Sequence, residues 1–144
     1  MESKSKDAGM PSADLLVRVQ RAMGSKPVSW QFVAKGYTAA ERYVVTMQDG
    51  TRVFVKAATD DETAQWLRNE YRVYGAFQAD FLPKMLAWDD GARPLLVLED
   101  LSVAFWPPPW SRERINLVSG MLQEIAHTRP PPGLPSVETF FREP

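Results

Sequence analysis

The chain has 144 residues, 44% of them hydrophobic and 24% charged, which is enough for one globular domain with a buried core. Its 17 basic and 18 acidic residues leave a formal net charge of −1, so no overall field favours nucleic acid or an anionic membrane as a partner. The absence of cysteine excludes disulfides, thiolate nucleophiles and cysteine-based metal sites, and with a single histidine a zinc site would need mostly carboxylate ligands.

The amino-terminal part combines a polar segment with a helix. Residues 1–11 are small and polar, which predicts a disordered leader without the apolar core of a signal peptide. Since no later apolar run reaches the length of a membrane span, we expect a cytoplasmic protein. Ser12 and Gly24 are predicted to begin and end a helix whose apolar face carries Leu15, Leu16, Val19 and Met23.

Three strands are predicted next. Apolar residues alternate with polar ones from Val28, which is typical of a half-buried strand. Asp49-Gly50 separates two runs rich in Val, Tyr, Phe and Thr, and this pattern predicts a hairpin with a tight type I′ turn. The segment GYTAAE at 36–41 joins the first strand to the hairpin. Its spacing alone favours an ordinary loop, and a loop whose amides and Thr38 hydroxyl cover a phosphate is the alternative.

Two charged residues interrupt apolar patterns. Lys56 lies inside the strand FVKA, and Glu70 lies on the apolar stripe of the helix that follows. That helix is predicted to start with a capping box of Thr59 and Glu62. Its stripe consists of Trp66, Val73 and Phe77 with Leu67 and Tyr74 beside them. Burying either charge alone costs several kcal/mol, so Glu70 should either reach solvent at the border of the stripe or meet a cation, for which Lys56 is the candidate. Such a pair could be structural or functional.

The carboxyl-terminal half begins with two more strands, at 84–88 and 95–98, joined by the turn residues Asp89-Asp90-Gly91. The second of these runs ends in LEDL and is followed by the stiff connector AFWPPPW. Ser111 is predicted to cap the next helix, which Pro130-Pro131-Pro132 ends, and another helix is predicted to begin at Pro135. The apolar stripe of the helix after Ser111 consists of Ile115, Val118, Met121, Leu122 and Ile125.

These features together resemble a known family. Lys56 in FVK, Glu70 in RNEYRVY, the LVLEDL edge and the phrase LQEIAHTRPPP resemble the amino-terminal lobe of the aminoglycoside phosphotransferase and choline-kinase-like family, from about Val28 to Thr128. The resemblance implies an α+β fold of the protein-kinase type: an antiparallel sheet of about five strands with a packed αC-type helix. It also implies a lobe at 12–104, and at 105–144 a connector and the first helix of a second lobe.

The resemblance implies ATP as the cofactor, accompanied by magnesium. Tyr37 and Thr38 would belong to the loop that covers the phosphates. Lys56 would hold the phosphates and pair with Glu70.

The same resemblance implies that the LEDL edge is a hinge that binds adenine. Leu98 would be the gatekeeper residue. The Glu99 carbonyl would accept a hydrogen bond from the adenine amino group, and the Leu101 amide would donate one to the ring.

Catalytic residues are missing from the sequence. Kinase-type transfer needs an aspartate for the acceptor hydroxyl and Asp and Asn ligands for magnesium. The last aspartate is Asp100, and His127 is followed by Thr128-Arg129 rather than an H-x-D motif. We therefore predict no catalytic or metal-binding residue, and assign His127 to packing or capping at a helix end.

We expect an ATP-binding lobe that is truncated before its catalytic loop and inactive alone. A nucleotide-sensing or partner-docking regulatory module is the alternative, and a disrupted gene product is a third possibility. Because the stripe of the helix at 112–127 would pack against a second lobe, we also predict that this helix mediates self-association.

Overall fold

The computed structural model describes residues 9–34, 36–77, 79–136 and 138. Most of the leader predicted at 1–11 lies outside these residues. In chain order the elements are α1 (Ala13–Met23), β1 (Pro27–Phe32), β2 (Glu41–Met47), β3 (Arg52–Ala57), α2 (Asp61–Ala76), β4 (Met85–Asp89), β5 (Leu95–Glu99) and α3 (Arg112–His127). The five strands form one antiparallel sheet in the order β1-β2-β3-β5-β4. The predicted fold class, α+β with a five-stranded sheet and a helix between the third and fourth strands, is confirmed.

Helix α1 covers one face of the sheet, and its ends are those expected from the caps. The Ser12 hydroxyl accepts a hydrogen bond from the Leu15 amide at 3.2 Å, and Gly24 ends the helix with a φ of 66°, a left-handed conformation that glycine adopts at little cost. Leu15 and Val19 are buried against side chains that alternate along β2, β3 and β5. This face therefore holds the larger core, composed of Leu15, Val19, Tyr43, Val45, Met47, Val53, Val55, Ala57, Leu95 and Val97.

Helix α2 packs against the opposite face of the sheet, through Ala64 and Leu67, which contact the core that contains Leu96 and Leu98. The buried face of α2 differs from the predicted stripe by one position around the helix: Leu67 is buried, whereas Trp66 and Val73 are only half-buried. The rotation follows from the contact with β5, because the small Ala64 lets the helix approach the strand closely.

The start of α2 also differs from the prediction by one residue. Asp60, rather than Thr59, is the N-cap: its carboxylate accepts a hydrogen bond from the Thr63 amide at 2.7 Å, and the Thr63 hydroxyl accepts one from the Asp60 amide at 3.0 Å. The hydrogen bonds from Thr63 lower the pKa of Asp60. Thr59 instead donates its hydroxyl to the Ala39 carbonyl at 3.1 Å, so it connects the helix start to the 36–40 loop.

The hairpin between β2 and β3 is present, but its turn is not type I′. The Met47 amide donates to the Thr51 carbonyl at 2.8 Å, and the Gly50 amide to the Met47 carbonyl at 2.9 Å. Among the described residues only glycines have positive φ, with 85° at Gly50, whereas type I′ needs positive φ at both central residues. The connection is a three-residue loop that ends in a glycine bulge. Asp49 braces the loop by accepting a hydrogen bond from the Thr51 amide at 2.9 Å, and that bond lowers the pKa of Asp49.

Helix α3 forms as predicted, with the Ser111 hydroxyl accepting from the Arg114 amide at 3.3 Å. None of the residues of α3 is buried. In the described parts of the chain, no helix is both long enough and apolar enough to cross a membrane.

Candidate functional site

The predicted pair of Lys56 and Glu70 is formed. The Lys56 ammonium lies 2.6 Å from a Glu70 carboxylate oxygen, and the two side chains are 23% and 38% exposed. Strand β3 places the lysine at the centre of the sheet, between β2 and β5. Leu67 of α2 packs against β5. Glu70 follows Leu67 by three residues, so it lies on the same side of the helix and bonds to Lys56. Because the Lys56 side chain retains contact with solvent, an anion can reach its ammonium group.

The 36–40 loop is organised around Arg42. The guanidinium of Arg42 donates to the carbonyls of Thr38 and Ala40 at 3.1 and 2.9 Å, and also to the Thr38 hydroxyl. Tyr37, at the tip of the loop, is fully exposed. The observed register places Arg42 directly opposite Lys56, so both cations belong to the same face of the sheet.

Arg42 is a residue that the sequence reasoning missed. A two-residue turn at Asp49-Gly50 would have paired Tyr43 with Lys56, whereas the three-residue loop pairs Arg42 with Lys56. The available signal was the bulge-forming glycine after Gln48-Asp49, which permits the longer loop.

Three of the predicted site residues share one surface cleft of about 720 Å³. Tyr37 and Thr38 form one wall, the side of α2 that carries Glu70 forms another, and Leu134 and Pro135 lie at its edge. Tyr74 also lines the cleft, and burial, with a smaller effect of the Glu70 charge, raises the pKa of Tyr74. The structure therefore brings the predicted phosphate-loop residues and the helix glutamate to one place.

The predicted hinge residues lie elsewhere along β5 and after it. Leu98 is buried and pairs with Phe54 of β3. Since Lys56 pairs with Leu96, Leu98 lies on the same face of the sheet, two residues further along β5. Glu99 lines a separate cavity of about 710 Å³, and its carboxylate accepts a hydrogen bond from the Lys84 amide at 2.7 Å. The Leu101 carbonyl accepts from the Trp106 indole at 3.0 Å. None of these three hinge residues lines the cleft at Glu70.

Asp100 is a second residue that the sequence reasoning did not select. Its side chain is only 4% exposed and lies 3.0 Å from the Arg52 guanidinium. The same carboxylate accepts a hydrogen bond from the Ser102 amide at 2.9 Å and another from the Ser102 hydroxyl. Asp followed two positions later by Ser is a common turn pattern. Asp100 thus holds the turn that contains Leu101.

The described residues contain no cluster of three or more His, Cys, Asp or Glu side chains that could hold a metal ion. His127 lies in the last turn of α3, where its Nδ1 is 2.7 Å from the Gln123 carbonyl. This contact agrees with a role at the helix end.

No protein-family model matches the chain, and neither does any curated protein. Among solved structures it is similar to the crystal structure of a "putative fructosamine-3-kinase" from Thermobifida fusca, with 23% sequence identity and a TM-score of 0.47. The similarity covers 69% of this chain and 34% of the other, so the chain spans about a third of the length of that protein.

Proposed function

We propose that this chain is the nucleotide-binding lobe of a kinase-like small-molecule phosphotransferase, and that it binds ATP. The observation that carries the proposal is the 2.6 Å pair between Lys56 on the central strand and Glu70 on the packed helix. Such a pair holds an ammonium in a defined place while leaving it able to contact a phosphate. Thr38 lines the same cleft as Glu70, which supports a role for the 36–40 loop over the phosphates.

The residues present fit a polyanionic ligand. Lys56 has Glu70 as its carboxylate partner, and Arg42, directly opposite Lys56, adds a positive charge. Lys56 would contact the phosphates, and Glu70 would orient the Lys56 side chain. Tyr37 and Thr38 would cover the phosphates.

The base would be held at the other end of β5. Leu98 would lie beside the adenine, and the Glu99 carbonyl and Leu101 amide would bond to its polar edge. Asp100 supports this assignment, because its bonds to Arg52 and Ser102 hold the turn around Leu101 in one conformation.

The activity proposed for these 144 residues is binding. Bound ATP would supply the phosphoryl group, but transfer also needs a catalytic aspartate and magnesium ligands. No aspartate follows Asp100 in the sequence. Transfer would therefore depend on groups outside this chain.

Ligand-induced stabilisation tests the proposal. Mg-ATP at one hundred times its Kd should stabilise the protein by about 2.7 kcal/mol, measured as a rise in Tm by differential scanning fluorimetry. Lys56→Met should abolish the rise, and Glu70→Gln should reduce it, because the lysine loses its orienting partner. Lys26→Met removes the same charge next to the cavity between α1 and the hairpin turn, and should leave the rise unchanged. An equal rise in Lys56→Met, or none in the unmodified protein, would refute ATP binding at Lys56.

A second candidate function is docking of a partner. It is favoured by α3, which has no buried residue and exposes Ile115, Leu122 and Ile125. Contiguous exposed apolar surface commonly marks an interaction site. For the isolated chain, we infer a second copy as the occupant of this surface.

A further inference from the structure

We propose that Arg42 is a second phosphate-binding residue, which makes the site selective for nucleoside triphosphates over shorter phosphate chains. This inference rests on the proposed function, because it concerns the same ligand. It adds a residue, and a basis for ligand preference, that the pair of Lys56 and Glu70 does not provide.

The position of Arg42 is the first reason. It lies directly opposite Lys56 in the β2–β3 ladder, and the Cα atoms of such cross-strand partners are about 4.5–5.5 Å apart with side chains on the same face. The loop that Arg42 holds contributes Thr38 to the cleft that Glu70 also lines. Arg42 and Lys56 do not line the cleft themselves; Arg42 is connected to it through Thr38, and Lys56 through its ion pair with Glu70.

The way in which Arg42 fills its loop is the second reason. A Cβ atom added to Gly36 would come within 2.5 Å of the Arg42 Nη1 atom, and Gly36 has a φ of 154°, which disfavours other residues. The guanidinium therefore occupies the concave side of the loop. Two of the three loop atoms that accept hydrogen bonds from Arg42 are backbone carbonyl oxygens. The inner side of the loop therefore carries a guanidinium, and an anion there would meet a cation as well as backbone amides.

The charge of Arg42 is the third reason. Its acceptors in the loop are neutral, and within the described residues it forms no ion pair, whereas Lys56 has Glu70. An arginine remains charged at all ordinary pH values, and its planar guanidinium matches phosphate geometry. Three of its five donors bond to loop atoms in the described structure, which leaves two for an incoming oxyanion.

These observations define how Arg42 acts. A phosphate chain bound at Lys56 would receive hydrogen bonds from a neighbouring guanidinium already fixed by Thr38 and Ala40, so little side-chain freedom would be lost on binding. The longer the chain, the more of its oxygens reach both cations. Arg42 should therefore matter most for ATP, less for ADP, and not for adenosine.

Isothermal titration calorimetry on the full 144-residue chain tests this order. ATP, ADP, adenosine and inorganic tripolyphosphate are titrated into the unmodified protein, Arg42→Met, Arg42→Lys and Arg21→Met. Arg42→Met should weaken ATP and tripolyphosphate by about tenfold to a hundredfold, as for loss of charge-assisted hydrogen bonds, and adenosine by less than about twofold. Arg42→Lys keeps the charge without the planar fork and should give an intermediate loss.

Arg21→Met is the matched control, because Arg21 lies beside the cavity between α1 and the hairpin turn; it should bind all four ligands like the unmodified protein. Circular dichroism and Tm show whether each variant is folded. If Arg42→Met is unfolded, Arg42→Lys decides: an unchanged ratio of ATP to adenosine affinity in a folded variant overturns the inference.

The two proposals fail in different ways. ATP binding that depends on Lys56 but keeps its preference over adenosine in Arg42→Met contradicts the role of Arg42 alone. If tripolyphosphate binds in a way that needs Arg42 while ATP does not bind at all, the nucleotide function is contradicted, and the role of Arg42 in binding a phosphate chain is kept. An equal loss of adenosine and ATP affinity in Arg42→Met shows that the residue only shapes the loop, and also overturns the inference.

Discussion

Tyr43 shows how one polar side chain behaves in the larger core. It is 2% exposed, and its ring meets those of Trp30 and Phe32 edge-on, with centroids 5.3 and 5.6 Å away. Its hydroxyl donates to the Glu41 carboxylate at 3.2 Å. Burial, and then the nearby Glu41 charge, raise the pKa of Tyr43 to about 12. The protonated phenol is thus favoured in the folded state.

This raised pKa predicts a loss of stability at alkaline pH. The contribution of Tyr43 should be complete below the unfolded pKa of about 10 and be lost as pH rises through about 12. Tyr43→Phe should reduce the fall in unfolding free energy between pH 9 and pH 11.5 by on the order of 1–2 kcal/mol, measured by urea denaturation. Tyr74 should keep part of the alkaline loss in the variant, because its pKa is also raised. An identical fall in both proteins would contradict the assignment.

Sequence reasoning singled out Lys56 and Glu70 and did not select Arg42, and the difference has a physical basis. Lys56 and Glu70 were predictable because each charge violates a local apolar pattern, and two such violations of opposite sign compensate each other. Arg42 violates no pattern. Its position opposite Lys56 comes from a register that depends on the length of a turn, and one residue more or less changes every cross-strand partner. The roles assigned to Leu98, Glu99 and Leu101 stay predictions.

At the scale of elements, α1 and α3 have similar sequence signals and opposite surroundings. Each has a serine N-cap, at Ser12 and Ser111, and an apolar stripe. Helix α1 buries Leu15 and Val19 against the sheet, whereas α3 buries none of its residues. An apolar stripe therefore indicates that a helix needs a partner surface, without specifying which surface it meets.

The same substitution in the two helices should therefore have different costs. Leu15→Ala removes a side chain that is 4% exposed and should lower the unfolding free energy by about 2–4 kcal/mol, through lost burial and a residual cavity. Leu117→Ala removes a side chain that is 68% exposed and should change the unfolding free energy by less than about 0.5 kcal/mol. Urea denaturation of both variants gives the comparison. Similar costs would show that α3 is buried in solution.

At the scale of the whole molecule, α1 and α2 cover both faces of the sheet, and α3 lies outside this arrangement. The connector before it exposes Trp106 and Trp110, and the Arg114 guanidinium lies 3.2 Å from the centre of the Phe105 ring. The predicted boundaries at 12–104 and 105–144 agree with this change of surroundings but stay a prediction. The apolar side of α3 is available to another molecule.

We predict that the isolated chain self-associates through α3, because another copy is the only apolar partner in a solution of the pure protein. Sedimentation velocity should show an average mass that rises with concentration. Ile115→Glu should shift the protein towards monomer by placing a charge on the stripe. Gln123→Glu adds the same charge on the polar side of α3 and should retain the association. A monomer at all concentrations would contradict this prediction.

The sequence by itself determined the existence and ends of most elements and the α+β class, and it singled out Lys56 and Glu70 as candidates for a pair, because caps, alternation and misplaced charges act over a few neighbouring residues. Only the tertiary structure decided the rotation of α2, the opposition of Arg42 to Lys56 and the exposure of α3. The first two depend on contacts between segments distant in sequence: Ala64 and Leu67 against β5, and β2 against β3. The third depends on how little of α3 the rest of the described chain covers, since none of its residues is buried. Local patterns specify what a segment can form, and long-range packing specifies what that segment faces.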